Sequence, residues 1–260
     1  IMNVAENEIY GEESGRFYFD GKNINELADR YGIPLYVFSE RELRKNVAKV
    51  TAQFRAYHAN ISIHYAARYE STVANLQIIR NAGGNLEVSS GGELFKGLYA
   101  GFRGNQIIFN GVDKTEEEIE MAVINNVKSI NADSEFELKR IVNIAKNLKK
   151  RAGVSLRIGA GFGIAPDEAE EIVRCALENQ KWICLRGYHF HVGAQTSPLI
   201  FAEDFWTMLE LTVSIYKGVG YYPRLLHLEG ETEEVAQEVC TELNAKTLIQ
   251  WAGQEVAGMF

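Results

Sequence analysis

The chain has 260 residues, 46% hydrophobic and 24% charged, with a formal net charge of -8. That balance suits a globular core and argues against bulk nucleic-acid binding, which wants a basic face. No apolar run approaches the ~18 residues that span a bilayer, and the acidic start IMNVAENEIYGEESG lacks the apolar centre of a signal peptide.

Cys175, Cys184 and Cys240 are scattered, without the spacing of a disulfide framework or a zinc knuckle. A reduced, cytoplasmic setting without membrane or nucleic-acid partners is expected. The oligomeric state is left open.

In chain order, Ile24, Leu27 and Ala28 give residues 21–33 one apolar helical face. Gly32 stops that helix, and Pro34 precedes a strand predicted over 35–38. Ser39 caps a helix running to about Ala56, with Glu42 at the capping-box position. The stretch ISIHYAARYES, 61–71, then begins as an alternating strand and ends in the polar cluster Arg68, Tyr69, Glu70 and Ser71. A helix follows at once, with Val73, Leu76 and Ile79 on one face.

From 61–67 onward the alternation is regular. Further strands are predicted at 85–88, 106–109, 129–132, 154–158, 185–190, 224–228 and 247–251. Helices are predicted between them at 92–100, 115–125, 134–149, 166–179, 201–218 and 232–243. Thr115 with Glu118 and Ser134 with Glu137 have capping-box spacing. Eight strands alternating with helices make an α/β (βα)8 TIM barrel, whose functional groups gather at the strand C-termini. The 35–38 strand is a ninth, outside the ring. The expected division is an N-terminal segment, 1–38, and a barrel, 39–260.

Several blocks carry a resemblance. GKNINELADRYGIPLYVFSERELRKN, NLEVSSGGELFKGLYAG, IIFNGVDKTEEEI, INADSEFEL, FGIAPDEA and GYHFHVGAQ together resemble the fold-type III pyridoxal-phosphate-dependent decarboxylases, most of all the diaminopimelate decarboxylase group. The likeness covers nearly the whole chain. It implies a barrel of the alanine racemase N-terminal-domain type, and a decarboxylase-like lyase by ancestry. No counterpart of that family's C-terminal β-domain follows Phe260, so a barrel without it is expected.

The departures concern the cofactor. Where the family has Tyr-Ala-x-Lys-Ala-Asn, with its Schiff-base lysine, this chain has Tyr65, Ala66, Ala67, Arg68, Tyr69 and Glu70. A guanidinium stays protonated and cannot serve as that amine. The resemblance implies a Gly-Gly-Gly phosphate loop after Leu226, where His227, Leu228, Glu229, Gly230 and Glu231 stand instead. Two carboxylates there would repel a phosphate. Trp251, Ala252, Gly253 and Gln254 replace the family's Glu-Pro-Gly-Arg, and Ala194 replaces its phosphate-contacting serine. The loop before Phe162, Gly163 and Ile164 is shortened. No cofactor is expected.

What the resemblance retains is the barrel wall: Glu87 in place of an aspartate, with Arg157 and His191 lining the pocket. Strand alternation puts His64, Ala66 and Arg68 on one face, His189 with His191, and His227 with Glu229. Changes concentrate at strand ends while caps and apolar strands are intact. This pattern reads as an engineered or highly diverged scaffold with a remodelled pocket for a small flat molecule.

Cofactor-free general-base catalysis would use Glu229, His191, Glu87 or His227 as base and Arg68 or Arg157 as cationic donor. Trp251 or Tyr69 would supply an aromatic platform, with His64 and His189 deeper in the barrel. The alternatives are a non-catalytic binding scaffold, a His/Glu metal site built from His189, His191, His227 and Glu229, and diaminopimelate decarboxylation by ancestry. The bland reading of each residue is a satisfied core group, with Arg68 bridged to Glu70 or Glu87. Trp182 and Trp206 read as packing residues.

Overall fold

A computed structural model describes residues 9–13, 15–57, 60–159, 162–191 and 198–229, with the backbone alone at 57, 191, 198–205 and 229. The chain begins with three short antiparallel strands, β1 (Tyr10–Glu13), β2 (Arg16–Phe19) and β3 (Lys22–Asn23). The sequence pattern does not announce them, because their side chains are mostly exposed and show no buried face.

Helix α1 (Ile24–Tyr31) is capped by Asn23, whose side chain accepts from the amides of Asn25 and Glu26. Helix α2 (Glu40–Tyr57) starts at Ser39, whose hydroxyl accepts from Glu42 N at 3.1 Å and donates to Asp20 at 2.6 Å. Asp20 also pairs with Arg41 at 2.9 Å, so one carboxylate ties the N-terminal sheet to α2.

The strand predicted over 35–38 is not formed. Residues 33–38 run without a partner strand among the described residues, and Tyr36 is 87% exposed. β-Branched and aromatic side chains favour a strand only where a neighbour covers them.

The alternating region builds one parallel sheet: β4 (His64–Ala66), β5 (Asn85–Val88), β6 (Ile107–Phe109), β7 (Ser129–Ala132), β8 (Ala152–Arg157), β9 (Ile183–His191) and β10 (Leu225–Glu229). Their order in the sheet is their order in the chain. The connecting helices are α3 (Val73–Asn81), α4 (Gly91–Tyr99), α5 (Glu116–Ile124), α6 (Glu135–Asn147), α7 (Ala169–Glu178) and α8 (Pro198–Val219). This is the predicted α/β barrel. Its eighth strand, 247–251, and the helix at 232–243 lie outside the described residues.

The core sits between sheet and helices. Leu86, Phe109, Ile130, Val154 and Leu156 meet Leu76, Leu94, Ile119, Leu138 and Val173, all fully buried. Each such side chain stabilises the fold by about 1.5–3 kcal/mol relative to exposure. Alternation turns the intervening strand residues to the other face, and these are polar: Glu87, Ser129, Asn131, Ser155, Arg157, His189 and His227 are buried there. Ser129 and Ser155 bridge adjacent strands at 2.7 Å.

Thr115 and Glu118 form the predicted capping box. Ser134 caps the Glu137 amide, but the Glu137 side chain turns instead to Lys114 and to the amide of Asp133. Between β8 and β9 the register slips at Val154/Ser155. Nearby, Gly187 holds φ +154, and a Cβ there would be driven into the Leu225 carbonyl of β10.

Candidate active site at the carboxyl end of the strands

The ends of β4, β5 and β10 bring three charged or ionisable groups into one chain of contacts. Arg68, in the turn after β4, places Nη1 2.7 Å from Glu87 Oε1. Glu87 ends β5 but for one residue and its side chain is 4% exposed; its other oxygen, Oε2, lies 3.1 Å from His227 Nε2. Asn110 Nδ2 reaches Glu87 Oε1 at 3.4 Å, and Asn131 Nδ2 reaches Asn110 Oδ1 at 3.5 Å and His227 Nδ1 at 3.1 Å. The Asn131 amide donates to Nδ1, so Nε2 carries the imidazole proton and donates it to Glu87. The carboxylate thus accepts from a guanidinium, an amide and an imidazole, which repays the cost of burying it.

His189 and His64 flank this chain of contacts. The His189 ring lies 4.5 Å from that of His227, and His64 lies 6.4 Å from it. His64 Nδ1 donates to the Leu86 carbonyl at 3.2 Å, leaving Nε2 to accept from the Ser62 hydroxyl at 3.2 Å. Burial, then the charge of Lys128, lowers its pKa from 6.5 to about 3, so this imidazole is neutral at physiological pH.

The structure therefore joins five of the predicted residues: Arg68, Glu87, His227, His189 and His64. Two others stand elsewhere. Arg157 is buried, but its Nε donates to the Phe162 carbonyl at 2.9 Å and it forms no ion pair with Glu87. Tyr69 is 67% exposed, with the Arg68 guanidinium 5.2 Å from its ring centroid, so it lies on the rim rather than forming a pocket floor. The short turn that exposes Tyr69 also buries Ala67 and lets the half-exposed Arg68 side chain reach Glu87.

Glu229 and His191 are register partners at the ends of β10 and β9; their side chains, and Trp251, Ala194 and Glu231, lie outside the described residues. Among the described residues, no group of three or more His, Cys, Asp or Glu side chains is arranged to hold a metal ion. No helix among them is long and apolar enough to cross a membrane.

Sequence reasoning missed three residues. Asn110 and Asn131 join the strands of the site, although Asn131 shares an alternating face with Ser129, a pattern visible in the sequence. Lys114, just after β6, is 1% exposed and donates to the carbonyls of Gly111 and Asn131 at 2.7 and 2.8 Å and to Glu137 Oε2 at 2.8 Å. All three ammonium protons are used.

Comparison with known proteins gives a consistent picture. The family described as pyridoxal-dependent decarboxylase, pyridoxal binding domain, matches residues 41–230. The chain is 28% identical over 233 residues to a diaminopimelate decarboxylase of Methanocaldococcus jannaschii, covering 80% of this chain and 53% of that protein. It is 29% identical over 240 residues to one from Bacillus methanolicus, covering 84% and 55%. The chain thus spans about half the length of these curated relatives. A crystal structure of diaminopimelate decarboxylase from M. jannaschii superposes with a TM-score of 0.84 at 25% identity, covering 96% of this chain and 64% of that one.

Proposed function

Because the chain belongs to the pyridoxal-dependent decarboxylase family, through that family's pyridoxal-binding domain, we propose that it is a diaminopimelate decarboxylase-like barrel domain that binds a small molecule without a covalent pyridoxal linkage. The Arg68–Glu87 pair carries this reading. A pyridoxal aldehyde is held by a lysine amine, and the end of β4, where the family resemblance implies that lysine, supplies a guanidinium. Lys114 is a fully engaged ammonium with no lone pair to offer. Lys96 is exposed on α4, its Nζ 3.0 Å from Ser71 Oγ. Neither of these lysines stands where the family resemblance implies the Schiff-base lysine.

Glu87 is already held by Arg68, Asn110 and His227, which favours a structural and ligand-orienting role over proton abstraction. If the mouth turns a substrate over, Glu229 or His191, neighbours at the ends of β10 and β9, would supply the base.

The second reading is decarboxylation of diaminopimelate, favoured by the names of the curated relatives. One experiment separates the two. The chain is mixed with pyridoxal phosphate, treated with borohydride and weighed by mass spectrometry, and a parallel sample with diaminopimelate is assayed for lysine. No stoichiometric adduct and no lysine are expected. An adduct mapped to a barrel lysine, with lysine formed, establishes the decarboxylase reading instead.

A further inference from the structure

A second cavity lies at the opposite end of the barrel, where the strands begin. It occupies about 390 Å³ between the end of α7, the starts of β8 and β9, and the segment leading into β10. Arg151 and Arg224 line it with Tyr221 and Tyr222, and Leu177 and Leu185 form part of its apolar wall; among the described residues no carboxylate lines it.

The charge there is unbalanced. Arg151 donates only its Nε, to the Ile183 carbonyl at 3.1 Å. The Arg224 guanidinium has no hydrogen bond or ion pair among the described residues; its backbone amide donates to the Arg186 carbonyl at 2.7 Å. Arg186, whose Nε is buried without a hydrogen-bond partner among the described residues, acts electrostatically on both Tyr221 and Lys128. Arg151 and Arg224 therefore face the cavity without an ion-pair partner among the described residues, in a chain whose net charge is -8.

One tyrosine of the wall is held in place from behind. The Tyr221 hydroxyl donates to the Leu185 carbonyl at 3.1 Å, and its ring stands edge-on to Tyr188, with centroids 6.1 Å apart. Tyr188 is fully buried, and its hydroxyl has no partner among the described residues.

We propose that this cavity is a binding site for a small aromatic carboxylate, separate from the site at the carboxyl ends of the strands. The two guanidinium groups supply planar forks for a carboxylate. The tyrosines and leucines supply faces for a flat apolar body. At the ~30 Å³ that one water occupies in the liquid, the volume holds about a dozen non-hydrogen atoms, the size of a two-ring acid.

The probe is 2-naphthoate, with uncharged 2-naphthamide as its control, titrated into the intact chain by calorimetry. The acid is expected to bind at one site at least tenfold more tightly than the amide. Arg151→Met and Arg224→Met are each expected to weaken it at least tenfold, with melting temperatures close to the parent. Leu177→Trp, which fills the cavity, is expected to abolish binding. Equal affinity for acid and amide, unchanged affinity in both arginine variants, or no saturable binding at millimolar acid overturns the proposal.

Discussion

Glu137→Ala is expected to be the most damaging single truncation of a polar side chain in the described fold. Glu137 is 2% exposed and Lys114 is 1% exposed, and they meet at 2.8 Å between α6 and the loop after β6. The carboxylate also accepts from the amides of Lys114 at 3.3 Å and Asp133 at 3.1 Å. Its removal leaves an ammonium in the interior with two carbonyls and no counter-charge, and leaves two backbone amides without an acceptor.

Breaking one side of a buried pair costs about 3–5 kcal/mol. For a domain of this size, ~2–4 °C per kcal/mol gives a fall in melting temperature of roughly 6–20 °C. Urea unfolding followed by circular dichroism at 222 nm measures the same quantity. The double variant Lys114→Met with Glu137→Gln removes both charges and keeps one acceptor oxygen for one of the two amides, so it should regain at least about 1 kcal/mol over Glu137→Ala. A loss below about 1 kcal/mol in Glu137→Ala, or a double variant worse than the single one, would falsify the assignment of this pair as an anchor of the fold.

Two further outcomes follow from the geometry. His64, with its pKa lowered to about 3, binds fewer protons folded than unfolded between pH 6.5 and 3. It therefore withdraws stability as pH falls through that window, up to about 5 kcal/mol; His64→Gln should flatten this part of the stability profile relative to the parent, and identical profiles would count against it. Gly187→Ala is expected to unfold the β9–β10 edge, because its Cβ would enter the Leu225 carbonyl; hydrogen exchange of the β10 amides should rise at least tenfold, and unchanged protection would show that the strands can part without loss.

The barrel was legible because its strands alternate and its helices carry caps, as at Thr115 and Ser134. The 35–38 segment misled because its residues suit a strand while no partner strand lies beside it among the described residues. The N-terminal hairpin was silent because Tyr10–Glu13 and Arg16–Phe19 have little buried face to leave a pattern. At the site, the sequence left Arg68 a bridge to Glu70 or to Glu87, and the structure forms the second. The asparagines escaped notice because Asn110 follows a three-residue strand and reads as a turn, and because an uncharged amide on a strand carries no signal of chemistry. Lys114 looked like a loop lysine: its burial depends on Glu137, 23 residues further along.

The match between chain order and sheet order in β4 to β10 has a consequence for how the polypeptide assembles. Each parallel strand docks on the one synthesised just before it, so no early segment has to wait for a distant one in order to extend the sheet. Loop closure is then incurred in short, similar steps. During translation, the units behind the growing edge can consolidate one after another. Through all of these steps the hydrogen-bonding edge of β4 that faces away from β5 stays unpaired within the described sheet. It is the place where a nascent chain would be most exposed to a wrong strand.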